Sequence, residues 1–280
     1  MADSDPPLNA RRFRLWSGAF LRVYLGLSVA LWLMQDLVLF PGMYRSATNE
    51  KMLVGWNRVL VPGPGPDVRV LHTDPAFDRV VVMAHGNGDF ASDMILYGQV
   101  LQEEGWDFAV FEYRRYDDAP GWPGEENFAA DLRAVLEWLP SQGWSMDRTV
   151  VHGRSIGGGV AVAGAHDADV AGFVLESTFD SVADVARRRL PTALLPVRLL
   201  LAHDFDNFRL AERDVPVFQV HDRADTIIPI GRAHALRDAL QNVTFMESEG
   251  HGHGTPLVFV VPEMREAWLA WLDDVAPASE

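Results

Sequence analysis

The sequence predicts an α/β fold in which a mostly parallel central sheet carries helices on both faces. Three observations lead there. Beyond Pro41, short β-rich runs alternate with helical segments, the rhythm of strand–helix–strand units. Val80-Val81-Val82-Met83 and Val217-Phe218-Gln219-Val220 are apolar along successive positions, as strands covered on both faces should be. Finally, Gly153-Arg154-Ser155-Ile156-Gly157 stands between the strand-like Thr149-Val150-Val151-His152 and a helix of small residues ending near Ala165, which marks a sharp strand-to-helix turn.

The first 40 residues stand apart. Arg11, Arg12 and Arg14 precede a long apolar stretch in which Arg22 is the one charge between Leu15 and Met34. A helix from Phe20 to Phe40 rises roughly 30 Å, the hydrocarbon thickness of a bilayer. Trp16, Phe20, Tyr24 and Trp32 supply interfacial aromatics. Residues 1–40 are therefore expected to form a basic segment and a single-pass membrane anchor, N-terminus inside and remaining chain outside. Two other readings stay open. One is a cleaved signal peptide and a secreted product, although no Ala-x-Ala site follows. The other is a helix docked on the domain or lying in the interface, which makes the protein peripheral.

Residues 41–280 read as one domain, a length adequate for a large α/β core. Strands are expected over 68–72, 80–85, 108–113, 149–153, 172–177, 217–221 and 243–247. Helices are expected over 92–104, 126–139, 156–166, 230–240 and 260–275. Gly63-Pro64-Gly65-Pro66 is a turn or linker. Residues 181–206, interrupted by Pro191 and Pro196, read as short helices forming a minimal cap over the carboxyl edge of the sheet. Leu194, Leu195, Leu199 and Leu200 either line an acyl pocket there or pack the cap on the core.

Composition removes whole classes of function. The chain has no cysteine, which excludes disulfides and thiol catalysis. A net charge of -15 argues against nucleic acid as a partner. His251-Gly252-His253 has no compact set of further ligands beside it, so no metal is expected.

The chemistry lies in the loops after the strands. A serine on a tight turn at a helix N-terminus presents its hydroxyl freely, but it needs a base in reach and an acid to orient that base. On such a sheet the chain order is serine, acid, histidine. Ser155 is the candidate nucleophile. Asp225, in the loop after the strand at 217–221, is the candidate acid, with Asp222 its rival. His251, in a glycine-flanked loop after the last strand, is the candidate base, with His253 the alternative. Stabilising a tetrahedral oxyanion takes two backbone donors. Ile156 N–H, just after the serine, is one candidate; Asn87 N–H, within His85-Gly86-Asn87-Gly88, is the other. Glu176, at another strand end, reads as a loop-ordering carboxylate or an alternative acid.

Leu39-Phe40-Pro41, His85-Gly86-Asn87-Gly88, Glu112-Tyr113-Arg114-Arg115-Tyr116, Gly153-Arg154-Ser155-Ile156-Gly157-Gly158, Glu176-Ser177-Thr178-Phe179, the stretch His221 to Pro229 and Glu249-Gly250-His251 together resemble the α/β-hydrolase superfamily. Within it the chain is similar to the membrane-anchored group that contains the α/β-hydrolase-domain depalmitoylases and their bacterial relatives, from about Leu37 onward. The resemblance implies an α/β-hydrolase fold. It also implies ester or thioester hydrolysis without a cofactor, on a small-molecule or lipid-like acyl substrate, with Ser155, Asp225 and His251 as nucleophile, acid and base. A serine peptidase or aminopeptidase on the same fold, or a non-catalytic interaction protein that keeps it, are the competing functions. The chain departs from the group at three places. Glu112-Tyr113-Arg114-Arg115-Tyr116-Asp117 replaces Asp-Tyr-Arg-Gly-Tyr-Gly, Gly252-His253 follows His251 in place of Asn-Asp, and the sheet before Val80 looks abbreviated.

Overall fold

The computed structural model describes residues 8–47, 55–187 and 195–279, with side chains from 18 onward. The seven expected strands form at Val68–His72 (β2), Val80–Ala84 (β3), Asp107–Phe111 (β4), Thr149–Arg154 (β5), Gly172–Glu176 (β6), Val217–Asp222 (β7) and Val243–Ser248 (β8). An eighth, Asn57–Val61 (β1), precedes them. The sheet order is β1-β2-β4-β3-β5-β6-β7-β8. From β4 through β8 neighbours run parallel; β2 is antiparallel to both β4 and β1. The sheet before Val80 is thus not abbreviated. Gly63 to Pro66 is the turn of a hairpin in which Val61 pairs with Val68.

The strand sequences explain the layers. Along β3, Val80, Val82 and Ala84 join one apolar core, while Val81 and Met83 join the other. The first core lies under α3 (Glu125–Trp138), α4 (Ile156–Ala165) and α7 (Ile230–Ala239), through Phe128, Leu132, Val160 and Leu236. The second lies under α2 (Ile95–Glu103) and α9 (Pro262–Val275), through Leu101, Trp268 and Leu272. Each fully buried side chain of this size contributes about 1.5–3 kcal/mol. Two expected helices divide. A 3-10 turn, Ala91–Met94, leads into α2, and Pro262 separates α8 (Leu257–Val260) from α9.

Helix α1 runs from Leu8 to Leu39, and Gly18–Leu39 is long and apolar enough to cross a membrane. Its apolar side chains face outward around the helix; Phe20 is 73% exposed, and Val23, Trp32, Leu33 and Val38 are exposed as well. Its end meets the domain. Ala202 N–H donates to Gln35 Oε1 at 2.7 Å, His203 lies 3.3 Å from Asp36, and Phe40 is buried edge-on against Phe128. Among the described residues of 181–206, α5 (Val182–Ala186) and α6 (Val197–Leu200) are single turns. Leu199 is 86% exposed and packs neither pocket nor core, whereas Leu194 and Pro191 lie outside the described residues.

Candidate active site

The parallel strands β3, β5, β6, β7 and β8 end on one edge of the sheet, and the candidate residues follow those ends. Ser155 joins β5 to α4 with φ 55° and ψ −122°, a strained conformation for a residue with a Cβ. The flanking glycines make the turn feasible. A Cβ at Gly153 would meet Gly157 O at 2.4 Å, and one at Gly157 would meet Ala84 O at 2.0 Å. The serine backbone is fully engaged: its N–H donates to Glu176 O at 2.9 Å, and its carbonyl accepts from Thr178 Oγ1 at 2.7 Å. The hydroxyl remains free to interact with the loops around it.

It meets His253. Nε2 of that ring lies 2.8 Å from Ser155 Oγ, and Nδ1 lies 2.7 Å from Asp225 Oδ2. An ionised carboxylate only accepts, so Nδ1 carries the ring proton and Nε2 is left to accept from the serine. Asp225 is buried, which by itself pushes its carboxyl up. The His253 ring and the N–H groups of Ile227 and Ile228, both 2.8 Å from Oδ1, outweigh that and hold it below the ordinary aspartate value. His221 approaches Asp225 to 3.4 Å, but its Nε2 lies 2.8 Å from Ile228 O, and burial lowers its pKa, so it stays neutral.

Of the two candidate histidines it is His253, not His251, whose ring reaches Ser155. The structure leaves the His251 ring exposed, away from the serine, and brings His253 into the place expected of it. Asp222, the rival acid, shows why. Its carboxylate collects four donors: Gly252 N–H at 2.9 Å, Ala224 N–H at 2.8 Å, Ser248 Oγ at 2.7 Å and His251 N–H at 3.2 Å. Residues 251 and 252 are thereby pinned by their backbones, with Gly250 and Gly252 at φ 93° and 72°, and the next side chain turns inward. Burial works against ionised Asp222, but these donors prevail and pull its pKa down to about 2.

The loop after β3 lies beside the serine; a Cβ on Gly86 would stand 3.7 Å from Ser155 Cβ. Among the described residues neither Asn87 N–H nor Ile156 N–H has a protein acceptor, the latter because it opens a helix. The direction of Asn87 N–H follows from its peptide plane, since the Gly86 carbonyl points the opposite way. That carbonyl lies 2.9 Å from His85 Nδ1, while His85 Nε2 lies 3.1 Å from Glu112 Oε1. Both ring nitrogens of His85 thus face acceptors. Burial lowers its pKa, but the Glu112 carboxylate more than compensates, so the ring titrates above the ordinary histidine value. Glu176 receives Tyr97 OH at 2.8 Å, His152 Nε2 at 3.2 Å and Leu257 N–H at 2.6 Å, so it orders the loop beyond His253. Among the described residues no cluster of three or more potential metal ligands occurs.

No protein-family model matches the chain. Among curated proteins it is 31% identical over 209 residues to the uncharacterized protein Rv2307c of Mycobacterium tuberculosis, covering 73% of each. It is 32% identical over 107 residues to the alpha/beta hydrolase domain-containing protein WAV2 of Arabidopsis thaliana, covering 37% of this chain and 35% of that one. Its fold matches the Pyrococcus furiosus esterase Pf2001 with a TM-score of 0.65 at 17% identity, over 83% of this chain and 95% of that one. The chain belongs to the α/β-hydrolase superfamily.

This α/β hydrolase carries left-handed backbone at non-glycine positions beside the site. Arg115 and Asp117, which stand where the related group has glycine, adopt φ 74° and 44°. The strained loop presents Tyr116, whose OH donates to Asn87 O at 3.0 Å. Gly42, just beyond α1, donates to the same carbonyl at 3.2 Å, and Arg45 Nη1 donates to Gly88 O at 3.0 Å. The stem of α1 therefore braces the loop beside the serine. Nothing in the composition of Gly42 to Arg45 signals that role, because it depends on contacts 43 and more residues away.

Proposed function

We propose that this hydrolase cleaves carboxylic esters or thioesters through Ser155, His253 and Asp225, by way of an acyl-enzyme and without a cofactor. The observation that carries the reading is the continuous relay from Ser155 Oγ through both His253 nitrogens to Asp225. Ser155 Oγ attacks the acyl carbon as its proton passes to His253 Nε2. Asp225 holds the tautomer and balances the imidazolium that forms. The N–H groups of Asn87 and Ile156 receive the oxyanion. His253 then returns the proton to the departing alkoxide or thiolate and takes another from water; the hydroxide attacks the acyl carbon, and His253 gives its proton to Ser155 Oγ as the acid leaves. Fold likeness to an esterase supports ester substrates.

Residues 41–280 are the catalytic domain, with 181–206 as a minimal cap, and residues 1–40 are its membrane anchor. The 22 residues Gly18–Leu39 rise about 33 Å, and their exposed apolar side chains suit a lipid surround. The anchor places the N-terminus inside.

The test uses the full-length chain in detergent. A fluorophosphonate probe should label the parent and leave Ser155→Ala unlabelled. With a short soluble ester, His253→Ala should lose on the order of 10^4-fold or more in kcat, whereas His251→Ala should stay near the parent. Labelling of Ser155→Ala, or the greater loss at 251, would overturn the assignment.

A further inference from the structure

One buried cation beside the serine has no part in the scheme above. Arg154 ends β5, and only 8% of it is exposed. Its guanidinium reaches two separate loops. Nη1 lies 2.7 Å from Asp89 Oδ2, while Nη2 donates to Gly254 O at 2.9 Å and to His253 O at 3.3 Å. Asp89 belongs to the loop that carries Asn87. Its N–H closes that loop onto Gly86 O at 3.2 Å, and its carboxylate fills the space beside Gly86, where a Cβ would come within 2.6 Å.

The loop bearing His253 is held at its entry by Asp222 and at its exit by Glu176, through Leu257 N–H. Between those points, the carbonyl of His253 itself is held by Arg154. Resting on the reading of the site given above, we propose that Arg154 is a positioning residue. One planar fork, attached next to the nucleophile, sets His253 against Ser155 and holds the loop of oxyanion donors against both. A guanidinium suits the task because its nitrogens diverge in a fixed plane. A lysine ammonium is a point charge that serves one loop well and the other poorly.

The full-length chain in detergent, with a short soluble ester, tests this through Arg154→Met, Arg154→Lys and Asp89→Asn. Arg154→Met should lower kcat about 100-fold, the usual cost of an ångström of misplacement, while KM stays within a few-fold. It should also broaden or remove the far-downfield proton resonance of the His253–Asp225 hydrogen bond. Arg154→Lys should recover part of both. Asp89→Asn should lower kcat by a smaller factor and leave the resonance in place, because it releases the oxyanion loop alone. Parent-like kcat in Arg154→Met, or a loss of kcat with the resonance intact, overturns the proposal. If that variant does not fold, Arg154→Lys and Asp89→Asn decide, and parent-like kcat in both overturns it. Failure of the broader reading is separate, since a parent chain that takes no fluorophosphonate label refutes the catalytic relay itself.

Discussion

Replacing Asp222 by Asn should destabilise the protein by about 2–3 kcal/mol at neutral pH, and by less as the pH falls. The carboxylate has no exposed surface and gathers four donors on its two oxygens. Asparagine offers one oxygen, and its amide nitrogen would face Ser248 Oγ and the N–H of His251. The hydroxyl can rotate to accept, so one donor is stranded. The titration gives a second route to the magnitude. An ordinary aspartate titrates at 3.8 and Asp222 at about 2, a difference worth about 2 kcal/mol when the group is ionised. Because the folded value lies below the unfolded one, this stability is fully present above pH ~4 and is lost as the pH falls toward ~2. The gap between parent and Asp222→Asn should therefore shrink to about half by pH 3. Urea melts of both chains in detergent, between pH 7 and pH 3, measure it. Comparing the two cancels the other acidic groups. A gap that is absent at pH 7, or that stays constant across the range, refutes the idea that ionised Asp222 clamps the histidine loop.

Two further substitutions probe the backbone frame. Gly157→Ala drives a Cβ to 2.0 Å from Ala84 O and 2.7 Å from His85 O, backbone atoms that cannot swing away. It should cost about 3 kcal/mol or more on thermal melting and abolish fluorophosphonate labelling. Gly42→Ala places a Cβ 2.0 Å from the Tyr116 ring, which braces Asn87. It should lower kcat by about 10- to 100-fold with little change in KM, because oxyanion donors act mainly in the transition state.

The parallel strands β3 to β7 were legible because burial on both faces leaves long apolar runs, and each formed within two residues of its expected ends. β1 was not, because an edge strand is only half filtered by burial. Arg58 and Leu60 both point outward, and an exposed Leu60 breaks the alternation that would have marked the strand. The small-residue helix was read correctly for a steric reason: Gly158 and Gly159 abut Thr178 and Phe205 too closely for side chains. Ser155 directly follows β5 and Asp225 lies three residues beyond β7, close enough to a strand end that position along the chain nearly fixes position in space.

The histidine lies farther out, five residues beyond β8, and there the chain's direction outweighs its length. Two positive-φ glycines and four donors on Asp222 decide which imidazole faces the serine, and none of these is a property of either histidine. The same holds for the loop that carries Asn87, braced by residues that precede the domain's first strand and by a loop with left-handed backbone at non-glycine positions. Arg115 and Asp117 hold left-handed backbone on either side of Tyr116, which stands between the stem of α1 and Asn87. The proposed triad of this hydrolase is thus placed by strand ends, but its final ångström is set by carboxylates and carbonyls that a motif does not record.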